Sequence, residues 1–207
     1  MAEIVMGGLF MFIFRKTSHN AFDAERGDVI FAKNYYRHFK LHLPHPDTID
    51  QVMRDLPCEC LGDLKAQLVS NLFEQKLLRK FRFLDRHYFL AVDATGIQTF
   101  DKRHCEHCLT KTSKTGVTTY FHYVLEAKLV TSSGLAISLA SEFIENRENR
   151  DFDKQDCEQK AFGRLAVKIK KQFPRLPICI LADGLYPNET MFSHRRIFVW
   201  LMSQTTA

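Results

Sequence analysis

Two short apolar runs, each ending in an aspartate, do most to narrow the folds open to this chain: YFLAVD at Tyr88–Asp93 and PICILAD at Pro177–Asp183. Each reads as a buried strand. Ala94, Thr95 and Gly96 follow the first acid and Gly184 follows the second, which predicts a strand opening into a loop. Between them lie Thr118–Val130 and Leu135–Ile144, two β-rich runs joined by Thr131, Ser132, Ser133 and Gly134, a hairpin pattern. A polar connector from Glu145 to Asp153 then leads into a helix expected from about Asp156 to Phe173, with Phe162, Leu165, Ile169 and Phe173 on its apolar stripe. The order strand, strand, strand, helix, strand defines an α/β fold with a mixed sheet. A right-handed crossover makes the first and last strands neighbours. Asp93 and Asp183, 90 residues apart, are then expected at adjacent C-terminal strand ends, where open α/β sheets carry their chemistry.

Upstream of about Arg86 the periodicity is helical. Thr48 and Gln51 form a capping box, and Ile49, Val52, Met53 and Leu56 recur at helical spacing before Pro57. A second helix carries Leu61, Leu64, Leu68 and Leu72 on one stripe, which predicts a core-facing side. Asp28–Lys40 is also helical in pattern, and LPHPD at Leu43–Asp47 is a connector. The apolar run Ile4–Phe14 has eleven residues, where a membrane-spanning helix needs about twenty. It lacks a small-residue cleavage site, so it is expected to be a buried piece of the fold with no membrane role. The expected division is a helical region over 1–86, a core over 87–192, and a tail over 193–207 that departs in character.

With 207 residues, 45% of them hydrophobic and 18 of them Phe, the chain has the material for a sizeable core, which excludes a disordered tail or a collagen-like repeat. Six unevenly grouped cysteines are too few for a disulfide scaffold and predict a reducing, cytoplasmic setting. The formal net charge of +5 permits a polyanionic partner without requiring one.

Two carboxylates at neighbouring strand ends make an oxygen-rich pocket suited to Mg²⁺ or Mn²⁺ and poor for zinc. The alternative is that each Asp only caps a loop. The blocks VDATG around Asp93, YFHYVLEAKLV, SEFIEN at Ser141–Asn146 and ILADGLYPN around Asp183, in this order, resemble insertion-sequence transposases with an RNase H-like DDE catalytic domain. More closely they resemble the branch in which an inserted β-region precedes the final Glu. FAKNYYRHFKLHLPHPDTIDQVMRDLP resembles the helical lead-in of such enzymes. The resemblance implies an RNase H-like sheet, metal-dependent cleavage and joining of DNA at transposon ends and target, and a nucleoid-associated location. It makes Asp93 and Asp183 the first two catalytic acids and Mg²⁺ ligands. The family's third carboxylate lies further along, past the inserted region. Glu189 is the only acid after Asp183 and stands too near it. The resemblance therefore also implies an incomplete sheet and a fragment inactive by itself, or a non-catalytic DNA-binding remnant that self-associates or pairs with intact transposase.

Outside the acids, His104-Cys105-Glu106-His107-Cys108 holds a Cys-x-x-Cys knuckle, in which Cys105 and Cys108 are candidate zinc ligands. His104 or His107 would add a nitrogen, and Cys58 with Cys60 is the nearest second pair. A reduced turn is the alternative. For DNA contact the candidates are Lys160, Arg164, Lys168 and Lys171 on the late helix, and Lys102, Arg103, Lys111 and Lys114 after the first strand. Such a lysine stripe is otherwise a solvated helix face.

Overall fold

A computed structural model describes residues 1–16, 18–146, 156–182 and, as backbone, 198–202. The chain forms two compact units, Met1–Cys60 and Leu61–Ala207. The helical pattern extends further along the sequence, but from Leu61 onward the chain groups with the sheet.

The first unit holds α1 (Ala2–Ile13), α2 (His19–Gly27), α3 (Val29–Phe39) and α4 (Pro46–Asp55). Ser18 and Asp28 cap α2 and α3 by accepting backbone N–H bonds from Ala21 and Phe31. The start of α4 differs from expectation. His45 is the cap, with Nδ1 accepting from the Asp47 N–H at 3.2 Å, and Pro46 takes the first helical position. Proline loses nothing there because that N–H has no helical partner, so Thr48 sits inside the first turn. Phe10, Phe22, Tyr35 and Ile49 form the core of this unit, with Phe10 and Tyr35 edge-on at 5.1 Å. Gly7 lets α1 approach the connector. A Cβ there would lie 2.9 Å from Pro44 Cγ. Of the Ile4–Phe14 run, Gly7 and Phe10 are buried, whereas Phe12 and Ile13 are exposed. No helix among the described residues is long and apolar enough to cross a membrane.

Helix α5 (Cys58–Glu74) leads into the second unit. It buries Ala66 and Val69, and Phe73 packs against the same core, whereas Leu61, Leu64 and Leu68 are exposed. Of the expected leucine stripe only Leu72 packs inward, against the cluster of Leu78, Tyr88 and Leu129. Lys65, next to Ala66, is drawn toward the sheet and donates from Nζ to the hydroxyls of Ser138 and Ser141, each at 2.7 Å. A short 3₁₀ turn at Arg79–Phe81 precedes the sheet.

The sheet has six strands: β1 (Tyr88–Phe100), β2 (Leu109–Thr112), β3 (Thr118–Val130), β4 (Ala136–Ile144), β5 (Ile178–Ala182) and β6 (Phe198–Met202). Its order is β2-β3-β1-β5-β6, with β4 also paired to β3. Strands β1, β3 and β4 run antiparallel in turn, β5 is parallel to β1, and β6 is parallel to β5. The fold is thus mixed α/β with a mixed sheet. The β3–β4 hairpin turns at Thr131–Gly134, with Gly134 at φ +82°, a conformation that favours glycine.

Two expectations change here. First, β1 does not open into a loop after Asp93. It continues to Phe100 because β3, 13 residues long, supplies backbone partners along nearly its whole length. The register slips once, between Gly96 and Gln98, as at a bulge. A Cβ on Gly96 would lie 3.0 Å from the Tyr123 ring. Second, within the 193–207 tail, FVWLM forms β6 beside β5. Phe198, Val199 and Trp200 are residue types that suit an extended chain.

Helix α6 (Glu158–Gln172) lies between β4 and β5 in sequence and buries Ala161, Phe162, Leu165, Ala166 and Ile169 in the main core with Leu90, Leu125, Leu139 and Ile180.

Candidate functional site

Asp93 lies on β1 opposite Glu126 of β3, which in turn is opposite Ser141 of β4. Cross-strand partners share a face, so the three make one row across the sheet. The Asp93 side chain is exposed, and Oδ1 accepts the Ala94 N–H at 2.9 Å. Along β1 and β5 the register runs from Tyr88 opposite Ile178 to Ala91 opposite Leu181. The offset is 90 residues, equal to the separation of Asp93 and Asp183 in sequence. Asp183 itself lies outside the described residues.

Glu126 is committed elsewhere. Its Oε1 accepts the Ser138 hydroxyl and lies 3.9 Å from Lys65 Nζ. Burial pushes the Lys65 ammonium below its usual pKa, although the nearby Glu126 charge acts the other way.

Two basic residues of α6 are tied into the fold. Arg164 Nε donates to Glu142 Oε1 at 2.8 Å, its Nη2 donates to Asp156 Oδ2 at 2.6 Å, and Nη2 also reaches the Phe143 carbonyl at 3.0 Å. Lys168 Nζ donates to Glu142 Oε2 at 3.0 Å and to the Ser141 carbonyl at 2.8 Å. Glu142 is buried, so this network fastens α6 to β4. Arg164 and Lys168 are therefore occupied within the fold; the side chains of Lys160 and Lys171 are exposed. Burial alone would raise the Asp156 pKa, but the hydrogen bond and charge of Arg164 together with the Glu145 and Cys157 N–H groups outweigh it and hold the carboxyl below its usual value. Lys111 on β2, Lys114 in the turn after it, and Lys102 and Arg103 in the preceding loop are exposed.

An open cavity of about 690 Å³ at the N-terminal ends of β1 and β5 was not anticipated from the sequence. Phe73, Tyr88 and Phe173 line it together with Lys76, Arg79, Arg82 and Arg175. Arg82 lies over the Tyr88 ring at 5.3 Å. Lys76, Arg79 and Arg82 recur at three-residue spacing just before β1, and Arg175, nearly a hundred residues later, joins them only through the parallel pairing of β1 with β5.

The loop from β1 to β2 gathers the remaining chemistry. Cys105 Sγ and Cys108 Sγ are 3.7 Å apart, and each is 3.4 Å from His122 Nε2 on β3. Among the described residues this is the group of three metal-ligating side chains within reach of one ion. The expected histidine partners lie elsewhere. His104 stacks on Phe100 at 4.5 Å, and His107 Nδ1 is 2.8 Å from the Asn146 carbonyl oxygen. Cys58 and Cys60 belong to the first unit. Thirteen residues separate Cys108 from His122, a spacing found in zinc sites that follow a Cys-x-x-Cys. That was the available signal.

The chain matches no protein-family model and no curated protein sequence.

Proposed function

We propose that the second unit is an RNase H-like core of the DDE-transposase class, which binds DNA and uses Asp93 with Asp183 as Mg²⁺ or Mn²⁺ ligands. The observation that carries this reading is the sheet. An antiparallel meander of β1, β3 and β4, a helix, and then β5 parallel to β1 follows the order of strands and helix expected for such a core, and β6 adds a strand beyond it. The 90-residue register offset supports pairing of the two acids. An exposed carboxylate on a central strand suits a hard cation. When bound, such ions activate a water or hydroxyl and stabilise the leaving oxygen. Lys111 and Lys114 on the same chain segment, and the cations of the cavity at the other end of β1, are the groups offered to phosphates.

One observation favours a second reading, a non-catalytic DNA-binding regulator that pairs with an intact transposase. The acid opposite Asp93 in register is Glu126, and Ser138 and Lys65 already hold it. It is a poor third metal ligand. The test incubates the purified chain with supercoiled plasmid and Mn²⁺, alongside a salt series for DNA binding. Metal-dependent nicking that disappears in Asp93→Asn supports the enzyme. Salt-sensitive binding without nicking supports the regulator, and absence of both overturns the class.

A further inference from the structure

We propose that Cys105, Cys108 and His122 hold one Zn²⁺ ion that clips the β1–β2 loop to β3. The inference stands on geometry and does not depend on the function of the acids. Zinc–thiolate bonds of about 2.3 Å and zinc–imidazole bonds of about 2.0–2.1 Å at tetrahedral angles require S···S near 3.8 Å and S···N near 3.6 Å. The three separations in the protein, 3.7, 3.4 and 3.4 Å, fall within a few tenths of an ångström of those values. Two thiolates and an imidazole nitrogen form the soft and borderline donor set that zinc prefers over Mg²⁺. Both cysteines are unpaired, and a sulfur separation of 3.7 Å is far from a disulfide bond.

The surroundings are built to hold the ligands in place. The Cys105 N–H points at Cys108 Sγ at 3.4 Å, the backbone-to-sulfur contact that stabilises a thiolate. Arg103 braces the knuckle by donating from Nε to the Cys105 carbonyl and from Nη2 to the Glu106 carbonyl, each at 3.1 Å. Asn146, just past β4, donates from its amide side chain to the Cys108 carbonyl at 3.1 Å, and its N–H donates to the His107 carbonyl at 3.2 Å. Cys108 is almost wholly buried, whereas Cys105 and His122 are partly open. Among the described residues these three side chains are the ligand set, which leaves the fourth tetrahedral position to a further donor such as water. The ion would fix the loop that carries Cys105 and Cys108 against β3, and would so set the direction of β2, which begins at Leu109, and of Lys111.

The experiment measures metal in the full chain purified without chelators or affinity-tag histidines. One zinc per chain is expected. Replacing it with Co²⁺ should give the thiolate charge-transfer and visible bands of a tetrahedral site. Cys108→Ser and His122→Ala should each lower zinc content at least tenfold, while His104→Ala, His107→Ala and Cys58→Ser keep it. Should the ligand variants fail to fold, mercurial titration of the wild-type chain replaces them, with zinc released in step with two protected thiols. A chain that stays zinc-free when refolded with Zn²⁺, or a Cys105–Cys108 disulfide in the non-reduced peptide map, overturns the proposal. So does zinc retained in Cys108→Ser.

Discussion

Arg164→Met separates the two roles open to the basic face of α6. The substitution keeps most of the aliphatic stem and removes only the guanidinium. In the folded chain that group serves two carboxylates whose side chains are 6% and 9% exposed, those of Glu142 and Asp156. Removing one partner of a buried ion pair costs about 3–5 kcal/mol, because the other charge stays buried. Two features place the expectation at the low end, about 3 kcal/mol. Lys168 remains 3.0 Å from Glu142, and the Arg164 side chain is itself 30% exposed. Urea unfolding followed by far-ultraviolet circular dichroism should show a midpoint lowered by about 1–3 M, with the slope unchanged. The loss should persist at high salt, since buried pairs are weakly screened. In a double-mutant cycle with Glu142→Gln, the coupling should exceed about 1 kcal/mol. A loss under about 1 kcal/mol, with weakened DNA binding in its place, would refute the structural role and return Arg164 to the phosphate-contact face.

Three further outcomes are expected. Leu165→Ala, at a fully buried position, should cost about 2–5 kcal/mol, whereas Leu68→Ala on the exposed stripe of α5 should stay within about 0.5 kcal/mol; paired thermal melts compare them. Because the folded pKa of Asp156 lies below its usual 3.8, its contribution to stability is fully present above that value. It is lost as pH falls through the folded value. Arg164 and the Glu145 N–H face this carboxylate, with Glu142 and Lys168 in the same network. Asp156→Asn should therefore flatten the acid limb of a stability profile. Lys111→Ala with Lys114→Ala should weaken DNA binding without sequence preference and reduce the slope of log affinity against log salt by up to about two.

Strands β1, β3, β4 and β5 were legible as apolar, β-rich runs bounded by turn residues, and α6 because its buried residues repeat at helical spacing, whereas β2 and β6 were not foreseen. What escaped depended on partners distant in sequence. Ala94-Thr95-Gly96 has the composition of a loop, and only the length of β3 makes it a strand. The leucines of α5 outrank Ala66 and Val69 in hydrophobicity, yet the smaller residues let the helix close on the sheet and carry Lys65 to Ser138 and Ser141. At the candidate sites, Cys105 and Cys108 were evident from spacing, while His122 was hidden inside a strand pattern that explains itself without a metal. Arg164 and Lys168 looked solvent-facing because their partners, Glu142 and Asp156, come from outside α6.

The parallel pairing of β1 with β5 also sets an order of events during synthesis. The β3–β4 hairpin closes over a four-residue turn and β3 reaches β1 soon after, but the other side of β1 waits for residues 90 positions later. At about 5–20 residues per second, that is roughly 5–20 s of translation. Throughout that interval Leu90 and Val92 sit on a strand with one open edge. A chaperone or a second nascent chain meets that edge before β5 does, so slowing translation between β4 and β5 should lower the soluble yield more than an equal pause before β1.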